Sequence, residues 1–334
     1  MRSVSACNGL SPEALNARLG KFLQIRSLAQ WRCEPYNEPH VPTAESTPHR
    51  PGPSALSTRS VRSEAMPVLQ QVIASRSNAR VKQLRAAFAG HPRLSGGLIA
   101  IEGDHLLEEA LRSGMVLKTV FLAEHRTVPN SLPASLEVLR LSEDIFESVM
   151  PTRSPQGIAA LLVPPVWTLD HLLWGTPLIV IAVGLQDPGN LGTLIRSVEA
   201  FGAGGVATTP GTVSPWNGKA LRASVGSVFR TPVVSTSREE ITNLKHRGVK
   251  LLAAVGEGVG SDLVHELSDI DLTGPVAIMI GNEGAGLAPE WLAIADAQIT
   301  IPTSGSVESL NAGIAASIIL YEAFRQRARV GVRP

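Results

Sequence analysis

Between residues 177 and 327 the chain alternates short apolar runs with segments of helical period, and this alternation limits its fold more than any other feature. The apolar runs are 177–184, 205–208, 231–234, 250–255, 276–281 and 297–301. Helical patterns cover 191–201, 216–225, 237–246 and 309–327. Apolar runs of four to eight residues separated by amphipathic helices suit strands buried on both faces, so the expected fold class is α/β with a mostly parallel sheet covered by helices on both sides. Ligands of such sheets bind at loops that follow the strands.

Residues 67–163 read as a smaller α/β unit. A helix capped by Ser77 or Asn78 precedes a strand at 97–101; Asp104 caps a helix to about 112; apolar or alternating runs follow at 116–122, 137–141 and 158–163, with a helix over 142–150. Pro164-Pro165 opens a linker at 164–175, and the larger domain spans 176–328. Residues 1–66 carry Pro35, Pro39, Pro42, Pro48, Pro51 and Pro53 among Ser, Thr and His. That composition cannot build a packed core, so a disordered extension is expected, with Met66 an alternative start of the ordered chain.

The net charge of the 334 residues is only +1, so any affinity for nucleic acid must come from local clustering. Both cysteines, Cys7 and Cys33, lie in the extension, which leaves the remainder without disulfides, thiol nucleophiles or thiolate ligands. No apolar run approaches the roughly 18 residues of a membrane span, and no secretory h-region opens the chain. These features point to the cytoplasm. No H-E-x-x-H or C-x-x-C occurs, so no metal site is expected. G-x-G-x-x-G, G-x-x-x-x-G-K-[ST] and G-x-S-x-G are absent as well.

Three polar, Gly- and Asn-bearing loops follow apolar runs: 184–192, 280–287 and 301–311. In the first, Pro188 and Gly189 are turn residues and Asn190 is an expected N-cap. In the helix beyond it, Leu191, Leu194, Ile195 and Val198 form the core stripe, and Arg196 lies off it, roughly 240° round from Asn190. Spacing leaves Arg196 either a functional group or a solvated cation paired with Glu199 at i+3. The second loop, with Gly281, Asn282, Glu283, Gly284 and Gly286, lets backbone approach a ligand, or simply turns into a helix opened by Pro289. The third leads through Ser309, Leu310 and Asn311 to a helix with Ala312, Gly313, Ala315 and Ala316 on one side, suited to a close helix crossing or a dimer contact. Two stretches carry cations without acids: Arg76, Arg80, Lys82 and Arg85 in the first, Lys219, Arg222 and Arg230 in the second. They are candidate RNA contacts, with solvated helix faces as the commoner explanation.

Taken together, in this order and wording, the three loops resemble the three motifs of the SpoU/TrmH family of the SPOUT superfamily, RNA methyltransferases that methylate a ribose 2′-hydroxyl with S-adenosylmethionine. The segment 219–226 resembles the family too, and residues 67–163 resemble its ribosomal-protein-like substrate-binding domain; the whole likeness covers about 67–327. It implies a SPOUT-type sheet with a C-terminal trefoil knot, a homodimer and an RNA substrate, ribosomal RNA first and tRNA second. Arg196 would activate the hydroxyl or stabilise its developing charge, Asn190 and Asn311 would hold nucleotide and arginine, and Glu283 would orient Arg196. Backbone around Gly281, Ile301, Ser309 and Leu310 would bind S-adenosylmethionine. Two departures from the family pattern are Thr303 after Ile301-Pro302, and Ala312-Gly313 after Asn311. A non-catalytic RNA-binding or ribosome-assembly protein on the same fold is the alternative from another class.

Overall fold

A computed structural model describes residues 72–256, 264–304 and 309–332. The expected extension at 1–66 lies outside the described residues.

The first sheet forms between residues 99 and 162. Helix α1 (Ala79–Phe88) starts at Asn78, whose side chain accepts from the Arg80 N–H at 2.9 Å. A short turn of helix, α2 (Pro92–Ser95), leads into β1 (Ile99–Glu102), α3 (Asp104–Arg112), β2 (Leu117–Ala123), β3 (Glu137–Leu141), α4 (Glu143–Val149) and β4 (Ile158–Leu162). The strand order is β1-β4-β2-β3, with β4 antiparallel to both neighbours and β2 parallel to β3. Successive side chains of a strand face opposite ways. Accordingly Ala100, Phe121, Ala159 and Leu161 pack with Val81, Leu84 and Phe146 under the helices, while Ile101, Val120, Leu122 and Ala160 face the other side. That second face joins Leu178, Val180 and Leu194 in one continuous core with the larger sheet. Asp104, expected as a cap, is instead the first helical residue. Gly103, at φ 97°, occupies the cap position, and a Cβ there would lie 2.4 Å from Gln156 Oε1. The expected linker also contains structure: Leu169–Leu173 forms a single tight turn, and Leu172 is wholly buried against Gly204 and Gly205.

The larger sheet has seven strands: β5 (Leu178–Ala182), β6 (Gly205–Thr208), β7 (Val233–Ser235), β8 (Lys250–Ala254), β9 (Val264–Glu266), β10 (Val276–Ile280) and β11 (Ala297–Thr300). Their order is β7-β6-β5-β10-β8-β11-β9, and every pairing is parallel. All residues of β5 and β10 are buried, as central strands require. The helices are α5 (Pro188–Ala200), α6 (Gly218–Ser224), α7 (Arg238–Asn243), α8 (Pro289–Leu292) and α9 (Ala312–Arg329). Strand β9 has no counterpart among the apolar runs of the sequence; it is a short edge strand, Val-His-Glu, and edges need little apolar surface. The ends of β5, β10 and β11 open directly into the three polar loops. Near the far end of α9, Arg327 is 3% exposed, and its guanidinium donates to the carbonyls of Thr176, Pro177, Leu272 and Gly274. It ties the last helix to the start of β5. No helix among the described residues is long and apolar enough to cross a membrane.

Candidate active site

The first turn of α5 shapes the site. Helix α5 begins one turn earlier than the cap expected at Asn190: Asp187 is the N-cap, and its Oδ1 accepts from the Asn190 N–H at 2.9 Å. Pro188 occupies N1, where its missing N–H costs nothing. Asn190 is therefore inside the helix, and its side-chain amide is free for other partners. Its Nδ2 donates to Glu283 Oε1 at 2.9 Å, and its Oδ1 accepts from Asn311 Nδ2 at 2.8 Å. One amide thus joins all three loops.

Glu283 closes the arrangement. Besides Asn190 it accepts from the backbone N–H groups of Asp187 at 3.1 Å and Gln186 at 3.3 Å. Burial pushes its carboxyl upward, but the Asn190 amide and the surrounding backbone N–H groups outweigh that and hold it below the usual carboxylate range. The neighbouring Asn282 donates to the Gly184 carbonyl at 3.0 Å and accepts from the N–H groups of Gly284 and Ala285, which fixes the second loop to the first. Asn311 is the N-cap of α9, accepting from Gly313 N and Ile314 N.

Beside this network lies a cavity of about 470 Å³, within the size range of small-ligand sites. Gly281, Ile301, Ser309 and Leu310 line it, as do Glu283, Asn311, Thr300 and Thr303. Two observations match a ligand that is read by close backbone and a few polar groups. A Cβ on Gly281 would fall 2.3 Å from the Gly286 carbonyl carbon, so only glycine permits this loop closure. Thr300, another lining residue, has its Oγ1 buried without a hydrogen-bond partner.

Arg196 departs from both expectations. It is exposed on α5 and makes no hydrogen bond or ion pair with any described residue. Glu283 is occupied by Asn190 and backbone, not by Arg196. Glu199, its expected i+3 partner, instead binds Arg230, which also reaches Glu109 Oε2 and Ser113 Oγ at 2.8 Å on the first sheet's helix α3. Of the expected RNA contacts, Arg76, Lys82 and Arg222 are exposed, Arg85 is half-buried, and Arg80 is paired with Glu137 at 3.0 Å. Lys219 is bound to Asp187 at 2.6 Å. The sequence marks Asp187 and Asn282 only as loop residues, without the hydrogen bonds they make here. An Asp directly before Pro is itself a helix-start signal and could have been read as one. Among the described residues, no group of three or more His, Cys, Asp and Glu side chains could hold a metal ion.

Parallel strands with helices on both faces, and a cavity lined at their carboxyl ends by the second and third loops and the end of β8, define an α/β ligand-binding domain of the doubly wound type. Comparison with known proteins makes this particular. Residues 177–321 match the SpoU rRNA methylase family, and residues 78–160 match the MRM3-like substrate binding domain. The chain is 34% identical over 250 residues to the 23S rRNA (guanosine(2553)-2′-O)-methyltransferase RlmP of Bacillus subtilis, covering 75% of this chain and 97% of that protein. It is 30% identical to the 23S rRNA (uridine(2479)-2′-O)-methyltransferase of Streptomyces viridochromogenes, covering 80% and 96%. The crystal structure of the SpoU methyltransferase AviRb from that organism in complex with AdoMet superimposes with a TM-score of 0.66 at 27% identity, over 77% of this chain and all of that one. The chain belongs to the SpoU rRNA methylase family.

Proposed function

We propose that this protein transfers a methyl group from S-adenosylmethionine to a ribose 2′-hydroxyl in ribosomal RNA. The observation that carries this reading is the Asn190–Glu283–Asn311 network standing at the mouth of a glycine-walled cavity. The named relatives, which act on 23S rRNA, support it. Backbone around Gly281, Ile301, Ser309 and Leu310 would hold the cofactor. When bound there, S-adenosylmethionine supplies a methyl group activated by a positive sulfur.

The chain's own residues do the rest. A neutral hydroxyl is a poor nucleophile and must be positioned in line and relieved of its proton. Asn190 and Asn311 position the ribose. Arg196, uncommitted to any described partner, meets the hydroxyl and stabilises the negative charge that grows on its oxygen as its proton passes to solvent water. Glu283 supports Asn190 and thus acts through it. Arg76, Arg80, Lys82 and Arg85 of the substrate-binding domain (67–163), with Arg222 on α6, contact the RNA backbone.

The family reading brings three further features. The C-terminal part of the methyltransferase domain (176–328) is tied in a trefoil knot; the insertion of β10 between β5 and β8 is consistent with it. The enzyme is a homodimer, for which α9 offers an exposed apolar stripe of Ile314, Ile318, Tyr321 and Phe324. It works in the cytoplasm, where its RNA is.

Mapping of 2′-O-methylated positions in total RNA, with and without the gene, tests the proposal. One position in ribosomal RNA should lose its mark and regain it on complementation. Loss of a tRNA position instead would reassign the substrate; an unchanged map, with no methyl transfer by the purified protein, would favour the non-catalytic RNA-binding alternative.

A further inference from the structure

Lys219 stands at the start of α6, where the sequence suggested an RNA contact. Its Nζ instead lies 2.6 Å from Asp187 Oδ2. The other oxygen of that carboxylate caps α5 through the Asn190 N–H at 2.9 Å. From there the connection continues through the Asn190 side chain to Glu283 and Asn311. We propose that Lys219 is a positioning residue, whose ion pair with Asp187 locks the first turn of α5 and thereby holds the Asn190 amide in its reactive place. This rests on the function proposed above.

Three observations carry the assignment. The pair is seated on Gly189: a Cβ there would lie 2.7 Å from Asp187 Oδ1 and 3.2 Å from Lys219 Cε, so the turn is shaped around the two side chains. Helices α5 and α6 are pressed together at Gly192, where a Cβ would meet the Ala220 carbonyl oxygen at 2.5 Å and Ala223 Cβ at 2.6 Å. That close approach brings the start of α6 within reach of the α5 cap. Finally, Asn217 caps α6 by accepting from the Lys219 N–H at 2.9 Å, which fixes the backbone from which the lysine extends. The Lys219 ammonium, and then the Asn190 N–H, hold the Asp187 carboxyl below its usual range, so the carboxyl is ionised at neutral pH. Both side chains are partly exposed, at 58% and 40%. Such pairs contribute little to global stability; the effect belongs in the rate.

The test compares Lys219→Met, Asp187→Asn and the double variant with the wild type. Asparagine keeps the cap and removes only the charge. Three quantities are measured: single-turnover methyl transfer to saturating rRNA from cells lacking the gene, affinity for that RNA at several salt concentrations, and amide exchange over residues 185–192. Each single variant should lose about tenfold or more in rate, in the range that small misplacement costs. RNA affinity and its salt slope should stay unchanged, and exchange over 185–192 should quicken. The double variant should be no slower than either single one, since both remove the same interaction. Lys219→Arg should restore most of the rate. The proposal is overturned if Lys219→Met keeps its rate but weakens RNA binding with a shallower salt slope, the mark of a phosphate contact. Additive losses in the double variant, or unaltered exchange over 185–192, would overturn it as well. Transfer by the wild type in the same assay separately checks the methyltransferase reading.

Discussion

At the scale of single residues, the site depends on hydrogen-bond partners that spacing does not reveal. Asn190 acts as a bridge because Asp187 has taken over the capping role. Glu283 is tied to that bridge and not to Arg196. The Glu283 carboxyl is depressed below its ordinary value of 4.5. A depressed carboxyl contributes its stabilisation fully above the unfolded value, and loses it as pH falls through the lower folded one. The thermal midpoint of Glu283→Gln should therefore lie below that of the wild type at neutral pH, and the gap should close as pH drops below about 4.5. A constant gap across that range would remove the charged form from the account. Arg196→Ala should reduce methyl transfer by about 10²-fold or more, the scale of losing one stabilising donor. Cofactor affinity measured by calorimetry should stay within a few-fold, because Arg196 is not among the cavity-lining residues.

At the scale of elements, close packing sets where the loops lie. Gly192 lets α5 rest on the backbone of α6, so Gly192→Ala forces overpacking against the Ala220 carbonyl. Urea unfolding should register a loss of about 1–3 kcal/mol. Helix α9 is fixed at both ends. Asn311 caps its start, and Arg327 near its finish satisfies four carbonyls from the segments flanking β5 and β10. Burial lowers the Arg327 pKa, and the carbonyls compensate the cost of placing a cation there. Arg327→Leu strands those carbonyls and should cost about 3 kcal/mol or more, each unsatisfied buried acceptor being worth ~1–3 kcal/mol. Most elements were legible beforehand, because buried strands and amphipathic helices write their periods into the chain. The exceptions have physical reasons. Strand β9 is polar and at an edge, and the cap of α5 slid one turn toward Asp187 because proline suits N1.

At the scale of the whole molecule, two sheets share one core. Ile101, Val120 and Leu122 of the first pack with Leu178, Val180 and Leu194 of the second. Arg230 reinforces the joint by bridging Glu199 on α5 and Glu109 on α3; attraction to Glu199, then to Glu109, raises its pKa despite partial burial. The two sheets are thus joined through a shared apolar core and an ion-paired seam. The opposite feature is the stripe on α9, where Tyr321 and Phe324 are 53% and 41% exposed and pack edge-on or tilted against Phe201. If this face joins two copies, Tyr321→Glu should convert a dimer to a monomer in analytical ultracentrifugation while leaving the far-UV dichroism unchanged. A wild type that sediments as a monomer would end the dimer proposal.

By itself the sequence determined the fold class, the three loops and their family likeness. Each of these is a local matter of period, turn chemistry and motif order, written in consecutive residues. Tertiary structure decided which partners those loops choose. Asn190 lies 93 residues from Glu283 and 121 from Asn311 along the chain, yet all three meet within hydrogen-bond reach; for Asn190 and Glu283 the reason is that β5 and β10 are adjacent in the sheet. That Lys219 comes within reach of Asp187 likewise depends on how closely α5 and α6 pack, a distance set by two glycines and visible only once the helices are in contact.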